Sequence, residues 1–163
     1  MLVGMMGSGK TSVGRVVARR LGRAFLDSDE QVEARTGRTV REIFETDGEP
    51  AFRKLEAEVL AEALARPEPA VVAAAGGVVL EAGNRRRLRD QATVVWLRAE
   101  PEVLVTRVRP GDHRPLLAAD PLAVLKGMER AREPLYRDVA DRVVDVGHIP
   151  VAEVVESVLE LVR

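Results

Sequence analysis

A glycine-rich stretch near the start of the chain, from Gly4 to Thr11, fits the phosphate-binding pattern G-x-x-x-x-G-K-[ST], the P-loop. Its glycines let backbone N–H groups turn inward around a phosphate chain, and the helix that follows directs the positive end of its dipole at the same phosphates. Lys10 would reach the β- and γ-phosphates, and the Thr11 hydroxyl would bind Mg²⁺. The pattern therefore predicts an enzyme or a switch that binds a nucleoside triphosphate.

The rarity of lysine strengthens this interpretation. The chain has three lysines, Lys10, Lys54 and Lys126, against 22 arginines. A chain that avoids lysine this strongly would seldom place one directly after Gly9 by chance. The same bias means that an arginine at a useful position is weak evidence by itself, so each arginine has to be judged by its local context.

Bulk properties exclude several classes of protein. The length of 163 residues and the hydrophobic content of 46% indicate one folded domain, and the net charge of −1 gives no general attraction to nucleic acid or acidic membranes. The chain has no cysteine and no apolar run of membrane-spanning length, and its two histidines are far apart. We expect a cytoplasmic monomer without nucleic-acid or membrane partners, in which any metal is held by oxygen ligands, as Mg²⁺ is.

Short apolar runs alternate with helical patterns, which is typical of βαβ units in a parallel sheet covered by helices on both faces. The predicted strands are Met1–Val3, Ala24–Asp27, Ala70–Ala74, Thr93–Arg98 and Arg142–Val146. The predicted helices are Lys10–Leu21, Asp29–Thr36, Val40–Thr46, Glu49–Ala65, Ala82–Asp90, Pro101–Arg107, Pro121–Arg132 and Val151–Val162. Within a single domain 1–163, we expect inserted helices at about 29–65 and a mobile lid at about 107–120.

Two carboxylates follow the second predicted strand in Leu26-Asp27-Ser28-Asp29. In extended chain, Asp27 and Asp29 would project to the same side, because side chains alternate with period two. One could order the Mg²⁺ water shell while the other holds an acceptor hydroxyl. Alternatively, Asp27 or Ser28 simply caps the next helix. The third predicted strand ends without an acidic residue, so Asp27 is the best candidate for the aspartate on the metal side.

Arginines in three other segments could contact an anionic substrate. Arg53 and Glu56 are i, i+3 neighbours on a predicted helix, so the carboxylate could orient the guanidinium, although a solvated charged face would look the same. A lid arginine such as Arg114 could neutralise the transferring phosphoryl group, unless the segment is an ordinary arginine-rich loop. Arg132 is expected at the C-terminus of a helix that ends before Pro134, where a cation is favoured in any case.

In chain order, these motifs resemble those of the shikimate kinases over essentially the whole sequence. They are G-x-x-G-S-G-K-T, L-D-S-D, I-F-x-x-D-G-E-x-x-F-R-x-x-E, the A-G-G turn, R-P-L-L and R-E-P-L-Y-R. The resemblance implies a three-layer sandwich, with a five-stranded parallel sheet of the nucleoside monophosphate kinase type. It also implies MgATP-dependent phosphorylation of the shikimate 3-hydroxyl, in the route to chorismate and the aromatic amino acids.

The resemblance also assigns site residues. The ATP phosphate cradle would comprise Gly7, Ser8, Gly9, Lys10, Thr11 and Ser12. Thr11 and Asp27 would lie at the metal, and Asp29 would bind the ring hydroxyls and activate the attacking one. Substrate contacts would come from Arg53, Arg132, Gly76 and its neighbour Gly77. Arg114 would reach the phosphates, Arg107 would stack on adenine, and the adenine-side loop would span 148–150, including His148 and Pro150. Lys10, Asp29 and Arg114 would thus be the catalytic residues.

One departure from the family pattern lies in the glycine turn, where Ala75 stands in place of the first of three glycines. If the backbone there requires a positive φ, alanine would cost roughly 1 kcal/mol, and if it does not, the change is neutral.

The same motifs argue against three alternative functions. A gluconate kinase can share L-D-x-D, but the R-P-L-L segment and the F-R-x-x-E helix argue against it. Nucleotide kinases of the adenylate type usually carry glycine after the P-loop lysine, where this chain has Thr11. A GTPase-like switch would need an N-K-x-D guanine reader, and none of the three lysines follows an asparagine.

Overall fold

The structure is a computed structural model that describes residues 1–108 and 120–162, and its centre is a parallel sheet. The strands are β1 Leu2–Val3, β2 Ala24–Asp27, β3 Ala70–Ala73, β4 Val95–Arg98 and β5 Arg142–Asp145. They lie in the order β2-β3-β1-β4-β5, so the short β1 is central. Leu2 pairs with both Ala73 and Val95. This register brings the carboxyl ends of β1, β2 and β3 to one edge, where ligands bind in such sheets.

Helices surround the sheet, as predicted. They are α1 Lys10–Leu21, α2 Ser28–Thr36, α3 Val40–Asp47, α4 Glu49–Leu64, α5 Ala82–Gln91, α6 Pro101–Arg107, α7 Pro121–Val139 and α8 Val151–Val162. A short 3₁₀ helix at Val78–Leu80, which the sequence did not predict, follows the glycine turn. The helix α1 packs against α8, while α5 packs against α7 and the 3₁₀ helix. The predicted α/β fold with a five-stranded parallel sheet is confirmed.

The hydrophobic core is built in two parts. The larger part joins the sheet to its helices and contains β1, much of β4 and the apolar faces of α1 and α8. A smaller cluster of four buried residues belongs to α2, α3 and α4, namely Val32, Ile43, Phe52 and Val59. The Phe44 and Phe52 rings meet there with their centroids 4.8 Å apart. The inserted helices therefore have a small core of their own, which fixes the direction in which α4 presents its polar face.

The helix α7 does not end at Arg132, and that prediction is wrong. Pro134 lies inside the helix, which continues to Val139. Proline removes one helical hydrogen bond and costs about 3 kcal/mol in a helix interior. Here Pro134 is exposed, so the carbonyl left without its helical partner is on a solvent-facing side, while Tyr136 and Val139 beyond it are buried. Burial of those two side chains offsets the cost, so Arg132 lies within a continuous helix and not at a helix end.

Candidate active site

The P-loop connects the central strand β1 to α1, and three of its glycines have backbone conformations that other residues avoid. The φ angles of Gly4, Gly7 and Gly9 are 144°, 78° and 89°. A Cβ on Gly4 would lie 2.5 Å from the carbonyl oxygen of Leu97 in β4, so the loop passes too close to the sheet for any side chain there. Lys10 Nζ donates hydrogen bonds of 2.9 Å to the carbonyls of Gly4 and Met5, which folds it back across the loop.

Asp27 makes two contacts, and one of them is the helix cap that the sequence offered as an alternative. Its Oδ2 accepts a hydrogen bond of 2.7 Å from the Thr11 hydroxyl, and its Oδ1 accepts one of 3.1 Å from the Asp29 backbone N–H. The carboxylate therefore caps α2 and at the same time faces the P-loop threonine. One aspartate thus fixes the start of the helix that carries Asp29 relative to the phosphate loop.

A cleft of about 490 Å³ runs along this edge of the sheet. Its walls include the P-loop residues, Asp27 and Asp29 from the end of β2, the 73–76 segment after β3, and Arg107. The structure thus brings together the predicted cradle, the predicted metal-side pair Thr11 and Asp27, and the predicted base Asp29. Arg53, Gly77 and Arg132 do not line this cleft and lie around the glycine turn beyond Gly76.

Arg53 is held by two carboxylates of its own helix. Its Nη1 donates to both oxygens of Glu56 at 3.0 and 3.1 Å, and its Nε and Nη2 donate to Glu49. Burial lowers the pKa of Arg53, but the two carboxylates outweigh burial and the pKa is raised. Burial raises the pKa of Glu56 to about 7, with Arg53 and Arg132 opposing it and Asp29 adding to it. All three charged groups therefore lie near Glu56.

The two arginines both lie at the glycine turn between β3 and the 3₁₀ helix. A Cβ on Gly77 would lie 2.0 Å from Arg53 Nη1, so the guanidinium occupies the space that a side chain would need. A Cβ on the preceding residue, Gly76, would lie 3.6 Å from Arg132 Nη1. The two predicted glycines are therefore in contact with the two predicted arginines, and Gly77 allows the closest approach.

Ala75 does not require the backbone freedom of glycine, because no described residue other than glycine has a positive φ. The Ala75 N–H donates a hydrogen bond of 2.7 Å to the hydroxyl of Ser28, which is buried. The departure from the family pattern is therefore neutral for the backbone. The hydrogen bond also shows a role for Ser28 that the sequence could not reveal, since 47 residues separate Ser28 from Ala75.

At the end of the cleft predicted to bind adenine, Arg107 contacts the segment that follows β5. Arg107 Nη2 donates to the carbonyls of Val146 and Gly147 at 2.9 and 3.1 Å. The cleft wall there is formed by Val146, Ile149 and Val151, whereas His148 and Pro150 are exposed and are not among its lining residues. Apolar side chains that follow the final strand were the available signal for this wall. Arg114 lies outside the described residues.

Magnesium fits the oxygen-rich end of the cleft. Thr11 and Asp27 supply a hydroxyl and a carboxylate within 2.7 Å of each other beside the P-loop, and these are ligand types that Mg²⁺ prefers. Within residues 1–108 and 120–162, no group of three or more His, Cys, Asp and Glu side chains could hold a metal unaided. A metal at this place would therefore depend on phosphate oxygens for part of its coordination, as it does in P-loop enzymes.

Comparison with known proteins identifies the family. The shikimate kinase family model matches residues 6–163. The chain belongs to the shikimate kinase family. A shikimate kinase of Bordetella pertussis is 50% identical over 159 residues, which cover 97% of this chain and 75% of that protein. The predicted family and enzyme class are confirmed.

Solved structures agree with this membership. Shikimate kinase from Acinetobacter baumannii in complex with shikimate superimposes with a TM-score of 0.94 at 40% identity, covering 99% of this chain and 90% of that chain. A gluconokinase from Sinorhizobium meliloti has a TM-score of 0.62 at 22% identity, covering 98% and 89%, and shares the fold alone. Membership of the shikimate kinase family leaves no support for the gluconate kinase or the GTPase-like switch.

None of the described helices combines the length and apolar character needed to span a membrane.

Proposed function

We propose that this chain transfers the γ-phosphoryl group of MgATP to the 3-hydroxyl of shikimate, with the donor in the P-loop cleft and the acceptor between Asp29 and the glycine turn. The observation that carries the proposal is the pair of arginines at that turn, the half-buried Arg53 and the buried Arg132. Arg132 is 7% exposed, yet none of the ion pairs of 4.0 Å or less in the described ranges includes it. A buried guanidinium is costly without an anionic partner, and the carboxylate of shikimate would supply one.

On the donor side, the cradle residues hold the ATP phosphates. Backbone N–H groups from Gly7 to Ser12 surround the phosphate chain at the N-terminus of α1, where the helix dipole favours negative charge. Lys10 is already positioned across the loop by the carbonyls of Gly4 and Met5, and it would exchange one of these contacts for a phosphate oxygen. Arg107, anchored to the Val146 and Gly147 carbonyls, forms the adenine side of the cleft.

Thr11 and Asp27 would hold Mg²⁺. When bound, the ion would neutralise charge on the β- and γ-phosphate oxygens. Thr11 and Asp27 themselves contribute by position, because the Thr11 hydroxyl at the start of α1 and the Asp27 carboxylate at the end of β2 are 2.7 Å apart. The cap that Asp27 places on α2 then fixes the distance from this pair to Asp29.

On the acceptor side, Arg53 and Arg132 bind the carboxylate from opposite sides of Gly76 and Gly77. Each charge-assisted contact of this kind contributes roughly 1.5–3 kcal/mol. Glu56 is 1% exposed and holds Arg53 through two hydrogen bonds, so the guanidinium is oriented before substrate arrives. Pre-orientation lowers the entropy lost on binding, which is how a rigid site gains affinity.

Phosphoryl transfer depends on positioning and charge neutralisation more than on covalent chemistry by the protein. Asp29 follows the aspartate that faces the P-loop by two residues, and it lines the cleft between the cradle and the glycine turn. From there it would accept the proton of the attacking hydroxyl. The role of Arg114 at the phosphates, those of His148 and Pro150 at adenine, the lid and the single-domain organisation remain predictions, as do the monomeric state and the cytoplasmic location.

A panel of acceptors tests the proposal. ADP release would be measured with shikimate, gluconate and nucleoside monophosphates, each with MgATP, and we expect release with shikimate alone. Lys10→Met should abolish it, whereas Lys126→Met, which removes a lysine paired with Glu102 at the surface, should leave it unchanged. Faster release with gluconate or with a nucleoside monophosphate than with shikimate would overturn the assignment of the acceptor.

A further inference from the structure

Tyr136 is a buried polar residue that has no role in the proposed function described so far. It is 1% exposed, and its hydroxyl donates a hydrogen bond of 2.5 Å to the carbonyl oxygen of Gly76 in the glycine turn. Sixty residues separate the two partners. Burial raises the pKa of Tyr136 to about 12, with Arg132 opposing the shift, so the hydroxyl keeps its proton and remains a donor at neutral pH.

The position of Tyr136 ties this hydrogen bond to Arg132. The two residues are four positions apart on α7, so they lie on the same face of the helix. Tyr136 Oη and Arg132 Nη1 are each 3.6 Å from the point where a Cβ on Gly76 would be. The ring of Tyr136 stacks on Trp96 of β4, with centroids 5.5 Å apart. The tyrosine therefore fixes α7 to the sheet and to the glycine turn, one helical turn away from Arg132.

The neighbouring carbonyls are also held: backbone N–H groups of Val78 and Leu80 donate to those of Ala75 and Gly77, and side chains hold those of the 3₁₀ helix. Asn84 Nδ2 donates to the carbonyl of Val78, and Arg85 Nη1 donates to those of Val79 and Leu80. The peptide between Gly76 and Gly77 is trans, so a fixed Gly76 carbonyl sends the Gly77 N–H in the opposite direction. Before that peptide, the Ala75 N–H is held by Ser28. The turn is thus fixed on both sides of the peptide that lies between Arg53 and Arg132.

We propose that Tyr136 is a positioning residue for the acceptor carboxylate. Its hydroxyl sets the orientation of the Gly76–Gly77 peptide and the position of the Arg132 guanidinium relative to the turn. The peptide N–H and the guanidinium then donate to the same anion. The inference rests on the proposed function, in which the turn and the arginines bind shikimate. A phenylalanine would fill the same space against Trp96, and it would leave the Gly76 carbonyl without this donor.

The variant Tyr136→Phe tests the role of the hydroxyl. We expect the shikimate KM, and the Kd measured by calorimetry, to rise about tenfold. The KM for ATP and kcat at saturating shikimate should stay within about threefold, because the lost contact acts on ground-state binding of the acceptor. An unchanged emission maximum of Trp96, the single tryptophan in the chain, would verify that the ring still packs. A shikimate Kd within twofold of the wild type overturns the proposal, as do equal rises in both KM values.

A matched control separates positioning from stability. Val139→Ala removes buried volume three residues further along α7 and leaves the hydroxyl in place. It should lower Tm without changing the shikimate KM. If the wild type binds shikimate neither by calorimetry nor in the ADP assay, the proposed function fails, and this result is distinct from a failure of the Tyr136 variant alone.

Tyr136 is the single tyrosine of the chain, which allows a test that does not depend on the variant folding. Biosynthetic replacement of tyrosine by 3-fluorotyrosine labels this position alone. The ¹⁹F resonance should shift on saturation with shikimate and change little on addition of MgADP. A ¹⁹F chemical shift that does not change on addition of shikimate, or that changes equally with both ligands, contradicts the positioning role.

Discussion

The phosphate cradle and the acceptor site are built in different ways. The cradle is local, since the P-loop from Gly4 to Thr11 and the adjacent Ser12 supply its turns, its lysine and its predicted metal-side hydroxyl. The proposed acceptor site takes Asp29 from α2, Arg53 from α4, Gly76 from the turn after β3, and Arg132 from α7. The cradle therefore depends on local backbone geometry, and the proposed acceptor site depends on charged side chains that the fold brings together from four separate segments. Substitutions on the acceptor side should change shikimate kinetics and leave ATP binding largely intact.

Among substitutions on the acceptor side, the largest effect is expected from Asp29→Asn. An amide cannot take the proton of the attacking hydroxyl, and a positioned general base typically contributes 10²–10⁴-fold, so kcat should fall by about 10³-fold. The KM for ATP should change little, because the Asp27 contacts with Thr11 and with the backbone of residue 29 remain. Glu30→Gln, an exposed neighbour paired with Arg15, is the matched control and should keep full activity. Turnover of the Asp29→Asn variant within a few-fold of wild type would remove Asp29 from the role of base.

Gly77→Ala tests the backbone approach on the acceptor side. The new Cβ would lie 2.0 Å from Arg53 Nη1, so the guanidinium has to leave its position. Loss of one charge-assisted contact of roughly 1.5–3 kcal/mol should raise the shikimate KM by about 10–100-fold in steady-state assays. Gly83→Ala serves as control, because a Cβ there would come no closer than 3.9 Å to the end of the flexible Arg87 side chain. Similar KM values for the two variants would show that Arg53 is not held at the turn.

Much of the cradle and of the fold could be predicted, because both rest on local signals. The alternation of strands and helices and the glycine and lysine spacing are all read within short windows, and the bounds of α1 and α8 agree with the structure. The continuation of α7 past Pro134 could not be predicted, because burial of Tyr136 and Val139 outweighs a local rule. The Ser28 contact with Ala75 and the Tyr136 contact with Gly76 join distant segments, and a single sequence carries no signal for such pairs.

A smaller, pH-dependent effect is expected at Glu56. Because burial raises its pKa to about 7, the carboxylate is charged above that pH and holds Arg53, and it takes up a proton below it. The shikimate KM of the wild type should therefore rise as the pH falls from about 8 to about 6. Glu56→Gln, neutral throughout, should have a raised KM that is independent of pH. Glu58→Gln, an exposed change on the same helix, should keep the wild-type slope, and an equal slope in all three proteins would contradict this account.

The smallest effect is expected from Ala75→Gly, which restores the glycine of the family pattern. The backbone there has no positive φ, so glycine relieves no strain. Shikimate and ATP kinetics should stay within about twofold, and the added freedom of the unfolded chain should lower the free energy of unfolding by roughly 0.5–1 kcal/mol. Denaturant titration together with steady-state assays measures both quantities. A marked gain in kcat would show that Ala75 restrains the turn.

The central claim is that the half-buried Arg53 and the buried Arg132 at the glycine turn recognise the carboxylate of the acceptor. The most direct measurement is calorimetric titration of the wild type and of Arg132→Met with shikimate and with its uncharged methyl ester. The wild type should bind the acid at least about tenfold more tightly than the ester, because a charge-assisted contact is lost. In Arg132→Met this preference should fall towards one. A preference for the acid that is equally strong in both proteins would contradict the claim.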